Sequence, residues 1–358
     1  MRISKIEVRN FRGLRGFRCD TFADVVIFCG RNNCGKTTIL EAVDFLYFAD
    51  IGSTLANINS SRHIALAGWN ELRTAFSDMD ESRSIVIAAE FAGGAARKVS
   101  ATIHRANIVQ FTGDKVKDDL MSRFLEVDIA DRKNGTDVAA RQARFYWTAG
   151  GENVGDFVRP GWVTQNSEAG NTIPCVYLPS TVHSDVCLTP LRRLCDAKRQ
   201  GAVVSALAKI DSRIIDIRLD GEIVKVDVSG VESLLPIRLL GDGMLKILNV
   251  LMAIEVCDKG GVVLVDEIDN GLHYSAYMNL LKVVLAAAKE KAIQLVFTTH
   301  NHEFLSRIAT REALVEDLSQ HGRFVYNNII RAGDGSIFCE AYDFASFRSA
   351  IESGMEVR

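Results

Sequence analysis

No stretch of this 358-residue chain approaches the roughly 18 to 20 consecutive apolar residues that a membrane-spanning helix needs. The start also lacks the apolar core of a secretory signal, because Met1-Arg2-Ile3-Ser4-Lys5-Ile6-Glu7-Val8 alternates like a strand. A cytoplasmic protein with no membrane association is the expectation. CxxC pairs are missing too. The eight cysteines, at 19, 29, 34, 175, 187, 195, 257 and 339, are scattered, which argues against a zinc ribbon or disulfide framework and for reduced thiols. Charge of one sign is not in excess: 42 Lys and Arg face 45 Asp and Glu, a net of −3. No global attraction to nucleic acid follows. Contact with DNA or RNA would need a local patch, such as Arg9, Arg12, Arg15 and Arg18 or Arg192, Arg193, Lys198 and Arg199; such clusters are also what a solvated face looks like. Repeats, low-complexity tracts and long heptad runs are absent. What remains is 47% apolar and 24% charged, ample for a globular core, at a length that allows one large domain or two small ones.

Against those absences one stretch stands out, Gly30-Arg31-Asn32-Asn33-Cys34-Gly35-Lys36-Thr37-Thr38. Apolar Val25-Val26-Ile27-Phe28 precedes it as a buried strand, and an amphipathic helix opens at Thr38-Ile39-Leu40. A G-x-x-x-x-G-K-T run between strand and helix is a phosphate-binding loop. Its glycines let backbone N–H groups wrap the α- and β-phosphates. Lys36 is placed for the β/γ oxygens and the Thr37 hydroxyl for Mg²⁺. The expected ligand is a nucleoside triphosphate.

The second half of such a site reads from Gly261-Val262-Val263-Leu264-Val265-Asp266-Glu267. A strand buried on both faces is nearly all apolar, and ligand groups gather at its carboxyl end. Asp266 is the candidate Mg²⁺ ligand and Glu267 the candidate base for an attacking water. A second apolar strand ends in Thr298-Thr299-His300-Asn301-His302. There His300 is either structural or a partner of the γ-phosphate or lytic water. No Cys or carboxylate cluster accompanies His300 and His302, so zinc is disfavoured. Leu239-Leu240-Gly241-Asp242-Gly243-Met244 precedes an apolar helix, and this is either an anion site or an ordinary loop with its N-cap. Cys34 lies among the N–H groups of the phosphate loop, where a thiolate is favoured, unless it is simply a small buried residue.

Elsewhere the pattern predicts strands over 2–9 and 16–29, an antiparallel meander over 84–91, 96–105 and 144–148, and a strand in 173–180. A helical stretch follows over 188–209, then a hairpin of 214–219 with 222–228 turning at Asp220-Gly221. From Gly243 onward helix and strand alternate, which is parallel α/β language.

In this order the motifs resemble the ABC-type ATPases of the SMC/RecF/OLD group over nearly the whole chain. The opening Ile3-Ser4-Lys5-Ile6-Glu7-Val8-Arg9-Asn10-Phe11-Arg12-Gly13-Leu14 is similar to that family's I-x-x-I-x-V-x-N-F-R-G-L. Asp266-Glu267-Ile268-Asp269-Asn270-Gly271-Leu272-His273 resembles its Walker B and D-loop segment, Thr298-Thr299-His300 its switch-histidine segment, and the close from Tyr342 the end of its ATPase domain. The likeness is greatest to stand-alone OLD-like AAA ATPases of bacterial anti-phage defence. It implies an α/β fold, an ABC-type P-loop NTPase with an antiparallel β lobe, a parallel-sheet core and a helical signature subregion. A single domain over 1–358 is implied: 1–48 the P-loop part, 49–185 a family-specific insertion, 186–257 the signature subregion, and 258–358 the Walker B, D-loop and switch part.

The resemblance further implies ATP and Mg²⁺ as ligands and Arg12 near the nucleotide. Gly241, Asp242 and Gly243 stand in the place of the ABC signature, although the L-S-G-G-Q form is absent. Two copies would then sandwich two ATP molecules, so a homodimer or higher even-numbered oligomer is expected. OLD nucleases continue into a Toprim domain, for which this chain ends too soon, and SMC proteins carry long coiled coils. The reading favoured is therefore a regulatory ATPase gating a separate nuclease or toxin. A RecF-like DNA-binding ATPase of recombination and repair, and a non-hydrolysing nucleotide-gated scaffold, are the alternatives; a transporter cassette is disfavoured.

Overall fold

In β3 (Val25–Cys29) all five residues are buried, and the period of two divides them between two cores. Val25, Ile27 and Cys29 face one apolar cluster, Val26 and Phe28 the other. β3 is the centre of a six-stranded sheet in the order β16-β15-β3-β14-β13-β9. Its parallel members are β9 (Cys175–Leu178), β13 (Val262–Val265), β14 (Gln294–Thr299) and β15 (Phe324–Arg331), and β16 (Ile337–Tyr342) adds an antiparallel edge. The computed structural model describes residues 2–47, 62, 69–106, 122–147, 162–165, 175–180, 188–310 and 323–354.

A second sheet, wholly antiparallel, has the order β2-β1-β4-β5-β6-β7-β8. It comprises β1 (Ile3–Phe11), β2 (Leu14–Cys19), β4 (Ile85–Phe91), β5 (Ala95–Ala106), β6 (Ser122–Lys133), β7 (Thr136–Trp147) and β8 (Trp162–Gln165). Helix α1 (Lys36–Tyr47) packs against both sheets, in one core with Val26, Phe28 and Leu264 on one side and Ile87, Val99 and Val127 on the other. That double burial explains why every residue of α1 but Thr37 is buried. A short helix, α2 (Trp69–Arg73), precedes β4.

The opposite face of the parallel sheet is covered by α3 (Leu188–Asp196), α4 (Gly201–Ala208), α5 (Asp242–Val256), α6 (Tyr277–Glu290), α7 (His302–Thr310) and α8 (Phe344–Glu352). A small antiparallel sheet of β10 (Ile214–Asp220), β11 (Ile223–Val228) and β12 (Leu235–Pro236) joins that cluster. The expected α/β architecture, with antiparallel lobe, parallel core and helical subregion, is the one observed.

Three expectations need correcting. The single helical stretch over 188–209 is two helices, because Lys198 sits at φ 56 and breaks the run. β1 runs on to Phe11 and β2 begins at Leu14, so the turn between the predicted strands narrows to Arg12–Gly13, and the predicted strand over 16–29 is interrupted between Cys19 and Val25. The short strand at 144–148 is the end of β7, which pairs along its length with β6. Their turn, Asn134-Gly135, has both residues at positive φ, the hairpin chemistry that Asn-Gly favours. Residues 48–61 and 63–68, in the expected insertion and just before it, lie outside the described residues.

Candidate functional site

The phosphate loop leaves β3 through Gly30, where backbone from another strand closes in. A Cβ there would sit 2.4 Å from the Ile329 carbonyl oxygen and 2.8 Å from Cys34 Sγ, closer than real contacts allow. Gly35, at φ 99, faces Ile337 and Leu14. Only glycine fits such a cradle without strain. Lys36 Nζ donates to the carbonyls of Gly30 (2.7 Å) and Arg31 (2.9 Å), so the side chain arches back over the loop. Arg31, Asn32 and Asn33 are exposed, whereas Cys34 is buried at 3% exposure. The Cys34 thiol fills the space beside Gly30, and an alkylating reagent has no path to it in this conformation.

Folding brings Walker A to Walker B. Thr37 Oγ1 donates to both carboxylate oxygens of Asp266, at 3.1 and 3.0 Å. Thr298 Oγ1, at the end of β14, donates to Asp266 Oδ1 at 2.6 Å and accepts from the Glu267 N–H at 2.7 Å. One hydroxyl thus orients the buried Asp266 and the next peptide together. Glu267 sits at φ 48, a left-handed conformation uncommon outside glycine, and its side chain is partly exposed. His300 Nδ1 lies 3.3 Å from Glu267 Oε1. Glu267 and His300, which the sequence offered separately, are therefore in contact, and His302 is not part of that contact: its ring faces Ser306 at 3.2 Å. Asn301 between them caps α7, its Oδ1 accepting from the N–H groups of Glu303 and Phe304.

Arg12 is held near the loop, its guanidinium 3.4 Å from Glu41 of α1. Three residues that the sequence did not single out join this site. Arg62 binds Glu41 through two nitrogens at 2.7 and 3.0 Å and reaches Thr38 Oγ1 at 3.3 Å. Arg331, at the carboxyl end of β15, donates to the Asn33 carbonyl at 3.2 Å. A cavity of about 310 Å³ is lined by these two arginines with Arg12, Asn33, Gly35 and Thr38. The third is Lys246 of α5, buried at 5% exposure. Its ammonium donates to the carbonyls of Asp266, at 3.1 Å, and Glu267. Burial pulls Lys246 down to about 8, against the pull of Asp269, Asp266 and Glu267. A strand-end arginine after a parallel strand was a signal for Arg331; nothing local marks Arg62 or Lys246.

Mg²⁺ fits the donor set. The Thr37 hydroxyl and Asp266 carboxylate are hard oxygens already side by side. The Tyr177 hydroxyl, on the strand next to β13, is buried with no hydrogen-bond partner among the described residues, and Asp266, Glu41 and Arg62 are its electrostatic neighbours. Among the described residues no three His, Cys, Asp or Glu side chains cluster as metal ligands.

The glycine segment divides. Gly241 and Asp242 are exposed at the start of α5, and a Cβ on Gly241 would meet nothing within 4 Å. Gly243 is buried: a Cβ there would lie 2.7 Å from the Gly271 carbonyl oxygen and from Leu272 Cδ2. It packs the helix start against the D-loop of its own chain. The first basic patch is also altered by folding, since Arg9, Arg12, Arg15 and Arg18 sit with Glu7, Glu41, Asp78 and Asp20. No helix among the described residues is long and apolar enough to cross a membrane.

The chain is similar in sequence and fold to several known proteins. Residues 1–143 match a family model described as "AAA ATPase domain", and residues 192–306 match "AAA domain, putative AbiEii toxin, Type IV TA system". An "ATP/GTP phosphatase" of Helicobacter pylori is 22% identical over 335 residues, covering 85% of this chain and 86% of that protein. Among solved structures, an SMC head domain from Thermotoga maritima aligns with TM-score 0.42 and 13% identity, over 96% of this chain and all of that one. An SMC head bound to the C-winged helix domain of ScpA gives 0.45 and 12%, over 96% and 98%. The P-loop lies in the segment similar to the AAA ATPase domain model, and Asp266, Glu267 and His300 lie in the other matched segment.

Proposed function

We propose that this chain binds Mg-ATP at the Gly30–Thr38 loop, hydrolyses it with Glu267 as base, and uses the cycle to gate a separate effector protein. The observation that carries the reading is the Glu267–His300 contact at 3.3 Å beside an Asp266 already joined to Thr37. Thr37 and Asp266 would hold Mg²⁺, which when bound neutralises phosphate charge. Lys36, released from the Gly30 and Arg31 carbonyls, supplies an ammonium to the β/γ oxygens. Arg12, Arg62 and Arg331 wall the adjoining cavity with guanidiniums suited to the remaining anionic oxygens. Glu267 takes the proton of the attacking water, and His300 holds that carboxylate in place.

Exposed Gly241 and Asp242 support the composite-site reading, in which the α5 amino terminus of one copy faces the nucleotide of another in an ATP-dependent dimer. The effector part rests on the toxin–antitoxin description of the family that residues 192–306 match. The carboxylates beside Arg9, Arg12, Arg15 and Arg18 favour a protein partner over duplex DNA, which needs uncompensated positive charge. The test is Glu267→Gln. ATP hydrolysis is expected to fall by roughly two to four orders of magnitude while ATP binding, followed by calorimetry, persists. Phosphate release at the wild-type rate in that variant would remove Glu267 from the chemistry.

A further inference from the structure

Two cysteines far apart in the chain meet where the two large sheets come together. Cys19 ends β2 in the antiparallel sheet, and Cys339 lies within β16, the edge of the parallel sheet. β2 and β16 are not ladder neighbours, yet Cys339 Sγ donates to Cys19 Sγ at 3.4 Å. Cys19 is 1% exposed and also donates to the Thr21 carbonyl at 3.5 Å, which holds its sulfur in place. Cys339 is half-buried, an entry for an oxidant little larger than water. A disulfide needs its sulfurs about 2.05 Å apart, so closure asks for about 1.4 Å of approach between two side chains already in contact.

The same two strands form walls of the phosphate loop. Leu14 opens β2 and Ile337 opens β16, and these side chains are the nearest neighbours that a Cβ on Gly35 would meet, at 3.4 and 3.1 Å. A covalent bond between the strands would therefore fix the seating of the loop from both sides.

We propose that Cys19 and Cys339 are a peroxide-responsive dithiol, a redox modification site whose disulfide staples the antiparallel sheet to the parallel sheet beside the phosphate loop. The co-reactant is hydrogen peroxide. One sulfur, as thiolate, attacks the O–O bond and becomes a sulfenic acid, and the departing hydroxide takes up a proton as water. The second sulfur displaces the sulfenic hydroxyl, its own proton leaving with that hydroxyl as a second water. Two thiols are oxidised to one disulfide and one peroxide is reduced to two waters. The Cys339 S–H, by donating to Cys19, holds the Cys19 thiol below its ordinary range, which favours the attacking thiolate.

The experiment uses the full chain, reduced and freed of reductant, and needs no ATP turnover. Hydrogen peroxide is added at neutral pH and peptides are mapped without reduction. A linked Cys19–Cys339 peptide is expected as the main product, with slower amide exchange in β2 and β16. The melting temperature is expected to rise by about 5 °C, because the bond closes a very long loop, and dithiothreitol should reverse all three changes. Cys339→Ser, a small and nearly isosteric change, should show neither link nor shift. The wild-type map decides the matter even where that variant folds poorly. Sulfinic or sulfonic acid at either cysteine without the link would overturn the proposal. So would disulfides formed mainly between chains, or a linked protein that melts no higher than the reduced one.

Discussion

Glu267 shows how one residue's setting is made by several others. Its peptide stands at φ 48, a conformation costing of order 1 kcal/mol for a side chain of this kind. Thr298 accepts its N–H and Lys246 donates to its carbonyl, so both ends of the residue are held. Lys246→Met would leave the Asp266 and Glu267 carbonyls without this donor inside the protein, at about 1–3 kcal/mol, and let the Glu267 carboxylate drift. ATP turnover is expected to fall about 10- to 100-fold, the usual range for an outer-shell partner, with ATP affinity within about twofold of wild type. Lys246→Gln keeps two N–H donors and should recover part of the loss. Equal losses in affinity and turnover would show that Lys246 acts on binding and not on Glu267. Lys36→Ala is the contrasting case. It removes the ammonium meant for the β/γ-phosphates and the two bonds that arch the side chain over the loop, so calorimetry should show ATP binding lost outright.

At the scale of elements, α1 governs both stability and site, because it is buried between two sheets. Its Asp44 is 5% exposed and accepts only a weak bond from the Cys175 thiol at 3.9 Å. Burial, then the nearby Glu41 carboxylate, pushes Asp44 up to about 7. The folded state therefore keeps a proton that the unfolded chain releases near pH 4. Stability should decline as pH rises from about 4 to about 7 and level off above that. Asp44→Asn removes this contribution, so its advantage in urea unfolding should be near zero at pH 4 and grow to about 4 kcal/mol by pH 8. A pH profile unchanged by the substitution would refute the assignment. The start of α5 gives a second test. Gly243→Ala drives a methyl into the Gly271 carbonyl and Leu272, and its cost, about 1–3 kcal/mol of stability, should appear in the isolated protomer as a lower melting temperature.

For the whole molecule, the decisive question is whether two copies close over ATP. A bulky residue at Gly243 cannot answer it, since the clash falls inside one chain. Asp242→Arg is the better probe: the residue is exposed and opens α5. In sedimentation with a slowly hydrolysed ATP analogue, wild type is expected to associate and Asp242→Arg to remain monomeric, each binding nucleotide with similar affinity. Association of the variant to the wild-type extent would count against a composite site.

The phosphate loop, the Asp266–Glu267 strand end and the Thr298–His300 segment were legible from the residues alone, because each is a local pattern. A doubly buried parallel strand is a run of apolar residues, and its polar groups follow at its carboxyl end. The long β6–β7 hairpin was mostly missed, only its end at 144–148 being read, since its outward positions, such as Asp128, Arg132, Gln142 and Arg144, carry no apolar signal and the turn residues Asn134-Gly135 went unread. What the tertiary structure alone decided lies between distant segments. Arg62 and Arg12 share Glu41, Arg331 meets Asn33, Lys246 holds the backbone of Asp266 and Glu267, and Cys19 meets Cys339. It also decided that Gly243 faces inward while Gly241 faces out. Local sequence determines which residues can form a strand, a loop or a helix; which side chains share a site is decided by the packing of two sheets around α1, and that depends on contacts hundreds of residues apart.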